Sequence, residues 1–183
     1  RINMDLKYEN LIGKLEYRWY SQPDQYNFFH TAWLGWEFDD GSQIQLGQNR
    51  VPFGPGPYGV SQSWFFDQHY YVGLADDMDL GIKYITDLGD WSLDFAYYNR
   101  AQWNGRGSAR YDYDIVPWTT SVDPDGTVNY GGTPNGWEER NQLNFRAIYS
   151  LDDIAVPTEI GTSLQWGQLK GRRNDDGEHW AAS

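Results

Sequence analysis

Apolar and polar residues alternate one by one along most of this chain, the period of a strand whose two faces meet unlike surroundings. Ile2, Met4, Leu6 and Tyr8 alternate with Asn3, Asp5, Lys7 and Glu9, and Leu15, Tyr17 and Trp19 alternate with Lys14, Glu16 and Arg18. A third run sets Phe28, His30, Ala32, Leu34, Trp36 and Phe38 against Thr31, Gly35 and Glu37. Ile44 and Leu46 interleave with Gln43, Gln45, Gly47 and Asn49, and Leu80, Ile82 and Tyr84 oppose Gly81 and Lys83. Trp91, Leu93, Phe95 and Tyr97 then alternate with Ser92, Asp94, Ala96 and Tyr98. Two last runs set Leu143, Phe145, Ala147 and Tyr149 against Arg140, Gln142, Asn144 and Arg146, and Ile160, Thr162, Leu164 and Trp166 against Glu159, Gly161, Ser163, Gln165 and Gly167. The pattern predicts about eight strands of roughly 7–13 residues, the reach of a tilted membrane-crossing strand.

The connections alternate as well. Short turns are expected at 10–13, 39–42, 87–90 and 152–157, and in Asp39-Asp40-Gly41 the Asp-Gly pair tolerates the positive φ of a tight hairpin. Longer connections are expected at 21–25, 50–78, 101–137 and 170–178. Short turns on one rim and long loops on the other characterise outer-membrane barrels. The expected fold is therefore all-β, an antiparallel transmembrane β-barrel, with residues 1–183 forming one partial domain. His179-Trp180-Ala181-Ala182-Ser183 reads as the start of a further strand, so the chain is expected to supply about half of a larger barrel.

Composition sharpens this picture. Ten Trp, fourteen Tyr and eight Phe sit in a chain whose mean hydropathy is only −0.75, which suits a wall that needs apolar residues on alternate positions alone. No run reaches the roughly 18 apolar residues of a membrane helix. The chain has no cysteine, which removes disulfides and thiolate chemistry, and its net charge of −12 argues against nucleic acid as a partner. No charged-then-apolar leader opens the sequence, so any signal peptide is expected to have been removed or never to have existed. Most acidic residues fall in turns, loops or strand starts, where Asp is a common turn former. Acidic rims of this kind could also gather cations that bridge lipopolysaccharide phosphates.

The polar faces carry both signs of charge. Asp5, Lys7, Glu9, Glu16, Arg18, Glu37, Lys83, Asp94, Arg100, Arg140, Arg146 and Glu159 suit a water-filled lumen, although a soluble two-layer sandwich would turn the same charges to solvent. Phe38, Trp91 and Tyr149 fall near the short-turn ends of their strands, and Tyr17, Trp19 and Phe28 near the long-loop ends, as two interfacial aromatic girdles would require. The candidate pore-lining or constriction residues are Arg18, Arg50, Lys83, Arg140 and Arg146 on the basic side and Glu37 and Asp94 on the acidic side. Each serves equally well as a structural ion pair.

One segment points to a family. Gly47-Gln48-Asn49-Arg50-Val51-Pro52-Phe53-Gly54 ends a strand with residues that break ladder pairing. Together with Asp79-Leu80-Gly81-Ile82-Lys83 and the aromatic strand ending at Tyr98-Asn99, it resembles the phosphate-selective porin O and P family over about residues 2–99. The resemblance implies a trimeric channel of about sixteen strands with one loop folded inward. The loop from Arg50 to Met78 is the candidate, and within it Tyr58, Trp64, Phe65, Phe66, Tyr70 and Tyr71 could anchor the loop or stack on sugars. The family's phosphate channels are lined by basic ladders, and none is traceable here. Small polar solutes or ions diffusing passively are therefore the expected cargo, with outer-membrane lipid and lipopolysaccharide as surroundings.

Other chemistry is weak. His30, His69 and His179 do not form a zinc spacing. Asp123-Pro124-Asp125-Gly126 and Asn174-Asp175-Asp176-Gly177 lack the glutamate that completes a calcium loop and read as turns. Ser63 and Ser108 lack a nucleophile-elbow setting. No enzyme, metal or cofactor is expected. The rival function is a soluble carbohydrate-binding β-sandwich whose exposed Trp and Tyr would stack on sugar rings.

Overall fold

The computed structural model describes residues 1–19, 27–54, 74, 77–101, 115–122, 128–152, 156–171 and 176–183. Ten strands occur among them: β1 (Ile2–Tyr8), β2 (Leu11–Trp19), β3 (Asn27–Glu37), β4 (Gln43–Arg50), β5 (Met78–Leu88), β6 (Trp91–Arg100), β7 (Ile115–Val122), β8 (Val128–Leu151), β9 (Thr158–Gly171) and β10 (Gly177–Ala182). They form a single antiparallel sheet in the order β1-β2-β3-β4-β5-β6-β8-β9-β10, with β7 paired to β8 off this path. Nearly every neighbour in space is a neighbour in sequence, the simplest way to satisfy backbone groups strand by strand. β1 and β10 stand at the two edges, and no pairing joins them among the described residues. The sheet is therefore open.

The alternation translates into two unlike faces. Met4, Leu34, Leu46, Ile82, Phe95, Leu143, Ile160 and Leu164 are exposed on one side, while Gln45, Lys83, Asp94, Asn144, Ser163 and Gln165 are buried on the other. This inverts the usual distribution in a water-soluble domain. Aromatic pairs lie across the ladder, Trp91 against Tyr149 at 4.9 Å between ring centroids and Phe95 against Phe145 at 5.1 Å.

Three features depart from the sequence pattern. The stretch 101–137, expected as one connection, holds β7 and the first part of β8, and with β10 at the expected start of a further strand the eight strands become ten. The first turn sits at Glu9-Asn10, earlier than 10–13, with Tyr8 paired to Leu11 and Glu9 at φ 50°. Finally, β-bulges shift the inside–outside phase. Tyr17 pairs with Phe29 and Glu16 with Thr31, so His30 is the extra residue and faces the buried side instead of joining Leu34 and Trp36 outside.

The tight turns give two predictions. A non-glycine residue at positive φ costs about 1 kcal/mol, so Glu9→Gly should raise the protein's urea midpoint, and a lower midpoint would show the turn unstrained. At the β3–β4 turn the Ser42 hydroxyl and amide donate to Asp40 Oδ1 at 2.6 and 3.0 Å. These bonds, the hydroxyl's first, hold the Asp40 carboxyl below its ordinary value of 3.8. A depressed carboxylate stabilises the hairpin at neutral pH, and that contribution disappears as pH falls through the lowered pKa. An NMR titration should show Asp40 ionising below 3.8, and Ser42→Ala should return it towards that value.

Candidate functional site

Pro52 and Gly54 end β4 by removing a donor and by freeing the backbone, Gly54 standing at φ 69°. The chain then turns from the ladder onto the buried polar face. Val51 N donates to Asp77 O at 3.0 Å, and Gly54 N donates to Ser163 Oγ at 2.9 Å, more than a hundred residues away in sequence. Arg146 Nε donates to the Gly54 carbonyl at 2.8 Å. The Arg50 carbonyl accepts from Lys83 Nζ and from the Tyr98 hydroxyl, each at 2.9 Å, and Tyr98 also reaches Asn49 Oδ1 at 2.8 Å. Val51 packs with Ala96 and Tyr98, and Phe53 with Leu74 and Ala181. Side chains of β5, β6, β8, β9 and β10 thus fasten one short piece of backbone across the polar face. The expected inward loop is described at residues 50–54, 74 and 77–78, and its aromatic set from Tyr58 to Tyr71 lies outside the described residues, as does the 123–126 turn.

Beneath this segment is a cavity of about 560 Å³ whose lining comes from β1 through β6, β8 and residues 51–53. Contributions from so many successive strands require the sheet to curl around it. Arg50, Lys83, Asp94 and Arg146 all line it. Arg146 Nη1 lies 2.9 Å from Asp94 Oδ2, a pair close to nine-tenths buried on both sides. The lining includes Arg1, Lys14, Arg50, Lys83 and Arg146 against Asp5, Glu16 and Asp94, five cations to three carboxylates, although the whole chain carries −12.

The other sequence candidates lie apart from the cavity lining. Arg18 Nε bonds Glu16, whose carboxylate also faces His30 Nδ1 at 3.9 Å. Glu37 pairs with Lys7 and accepts from Gln43 near the short-turn rim. Arg140 Nη2 pairs with Glu138 at 2.8 Å. Glu16, Asp5 and Lys14 belong to the polar alternation, which does not distinguish them from its other members. The alternation puts His30 on the apolar face, but the bulge beside Phe28 and Phe29 turns it to the buried one. A second polar network joins Asp79, Gln142, Gln165 and Asn144: Gln142 Nε2 donates to Asp79 Oδ2 at 3.1 Å, Gln165 Nε2 to Gln142 Oε1 at 3.2 Å, and Asn144 Nδ2 to Gln165 Oε1 at 3.0 Å.

Comparison with protein-family models, with curated proteins and with solved structures finds no match.

The Tyr98 hydroxyl is the buried clasp of the inward segment. Tyr98→Phe leaves Asn49 Oδ1 and the Arg50 carbonyl without that donor, a loss of about 1–3 kcal/mol. Hydrogen exchange at the Val51 amide should accelerate by about tenfold or more. Unchanged exchange would show that the clasp does not hold the segment.

Proposed function

We propose that this chain forms part of a transmembrane β-barrel of a Gram-negative outer membrane, and that the barrel is a porin for passive diffusion of small polar solutes. The observation that carries the reading is the inverted sheet. Apolar side chains are exposed from β1 to β10, while charged and amide side chains are buried on the opposite face. In water, a continuous apolar surface larger than a few hundred Å² is rare on a monomer. In lipid the same surface is the favourable one, and the polar face becomes the wall of a channel. A carbohydrate-binding sandwich would need a second layer over the apolar face, and all ten strands described belong to one sheet.

The segment at Arg50–Gly54 supports a constricted pore. It crosses the polar face and brings Arg50, Lys83 and Arg146 to one cavity, so the narrow part of the route carries net positive charge on this side. Rings of charge at a constriction set ion preference. The solutes favoured are accordingly anions and neutral polar molecules. The likeness to the phosphate-selective porin O and P family adds closure at about sixteen strands and assembly as a homotrimer to the proposal. The cavity offers basic residues paired with Asp94 and the Arg50 carbonyl, not an uninterrupted ladder, so phosphate specificity is left out of it.

Two experiments test this reading. Leu46, 64% exposed at the middle of β4, should face hydrocarbon. Leu46→Arg should then destabilise the protein in lipid vesicles by about 2–4 kcal/mol, whereas a neutral effect in a protein monodisperse without detergent would favour the soluble reading. In planar bilayers the protein should give discrete conductance steps with a mild anion preference in a KCl gradient. Arg50→Gln combined with Lys83→Met should shift the permeability ratio towards cations by about twofold or more. Absence of steps, or an unmoved ratio, would contradict the assignment.

A further inference from the structure

The cavity beneath the inward segment has a lining of two chemistries. Lys14, Arg50, Lys83 and Arg146 give it cationic character, while Trp33, Val51, Phe53, Met78 and Ile85 line the same space with apolar surface. We propose that this cavity is a binding site for a small organic carboxylate with an aromatic or compact aliphatic body, of the benzoate class. The proposal rests on the channel reading for the route by which a solute enters, and it goes beyond that reading by naming the solute.

The mixed lining discriminates against simpler solutes. Among the described residues it carries five Lys and Arg against three carboxylates, so an anion is attracted. An inorganic anion sheds water on entering and meets hydrogen-bond donors over only part of the surface, which makes the apolar part costly to it. A neutral polar solute gains little from the excess of positive charge. A carboxylate on an apolar body meets both demands. Its head takes charge-assisted bonds from Arg or Lys, and its body removes apolar surface from water. At about 560 Å³ the cavity also falls within the roughly 300–1,000 Å³ of small-molecule sites.

The backbone makes room for the aromatic part of the lining. Trp33 of β3 pairs with Gly47 of β4, and Gly35 lies two residues further along β3. A β-carbon at Gly47 would stand 2.9 Å from Trp33 Cα and 3.2 Å from its Cβ, and one at Gly35 would stand 3.3 Å from Trp33 Cζ3. The indole therefore lies beside bare backbone, half-buried, and lines the cavity. A ring presented in this way offers a ligand a stacking face.

The cations are positioned for the other end of the solute. Lys83 donates to the Arg50 carbonyl, and Arg146 uses Nε on the Gly54 carbonyl and Nη1 on Asp94. An ammonium carries three donors and a guanidinium five, so these bonds leave further N–H groups on both side chains. Held by backbone and by Asp94, the two cations are set in place before a solute arrives, which lowers the cost of ordering them around it.

Equilibrium dialysis of radiolabelled benzoate against the detergent-solubilised protein tests the site without requiring conductance. Binding should saturate. Unlabelled acetate, phosphate and benzamide should each compete at least about tenfold more weakly than benzoate, since each lacks either the apolar body or the charge. Trp33→Ala should weaken benzoate binding by about tenfold or more. Arg50→Gln should erase much of the preference for benzoate over benzamide, whereas Asp39→Asn on the β3–β4 turn should leave both unchanged. If Trp33→Ala does not fold, Ile85→Ser provides the same comparison. Saturable binding by a protein that gives no conductance steps would uphold the site and sink only the channel. No saturable benzoate binding, acetate or phosphate competing equally, or Trp33→Ala binding as the wild type does would each overturn the site, even in a protein that conducts.

Discussion

The backbone ladder is the constraint on which everything else depends. Between β1 and β10 each strand is hydrogen-bonded to its neighbour, which frees the two faces to take opposite chemistry. With backbone groups paired within the sheet, an outward row of Leu, Ile, Phe and Trp can meet a surrounding that offers no hydrogen bonds. The inward row must then satisfy its own amides and charges. It does so through Asp94–Arg146, the Gln142–Gln165–Asn144 chain and Tyr98 with Asn49.

Satisfaction of the polar face also explains the inward segment. Pro52 cannot extend the ladder, and the carbonyls of Arg50 and Gly54 would be costly to bury alone. Lys83, Tyr98 and Arg146 supply donors to them from β5, β6 and β8. The same cationic side chains that anchor backbone therefore also set the charge of the cavity. Anchoring and cavity charge share residues here, so removing one cation is expected to alter both the hold on the inward segment and the charge of the cavity.

Much of the sheet was legible from the period of two, because one face of each strand is apolar over most of its length. β2 to β6 lie where the alternation put them, and Arg50, Lys83, Asp94 and Arg146 meet at one cavity. What escaped has a physical reason in each case. β7 and the start of β8 lie in a stretch rich in Gly, Asp, Asn and Pro, whose turn propensity masks pairing. Bulges at Glu16/Tyr17 and Arg140/Leu143 add a residue and reverse the phase, so His30 and Glu139 could not be placed by counting. The bond of Gln142 to Asp79 joins residues 63 positions apart, and the pairings of β5 with β6 and of β6 with β8 bring them near.

The central claim is that the apolar face lies against lipid and the polar face against water. Spin labels placed singly at Leu46, Ile82, Phe95 and Leu164, and at Gln45, Lys83, Asp94 and Gln165, report this directly through collisions with oxygen or with a water-soluble nickel chelate in lipid vesicles. The first set should collide with oxygen and the second with the chelate or with neither, in a strict alternation along β4, β5, β6 and β9. Equal access of the nickel chelate to Leu46, Ile82, Phe95 and Leu164 would place that face in water and contradict the membrane assignment.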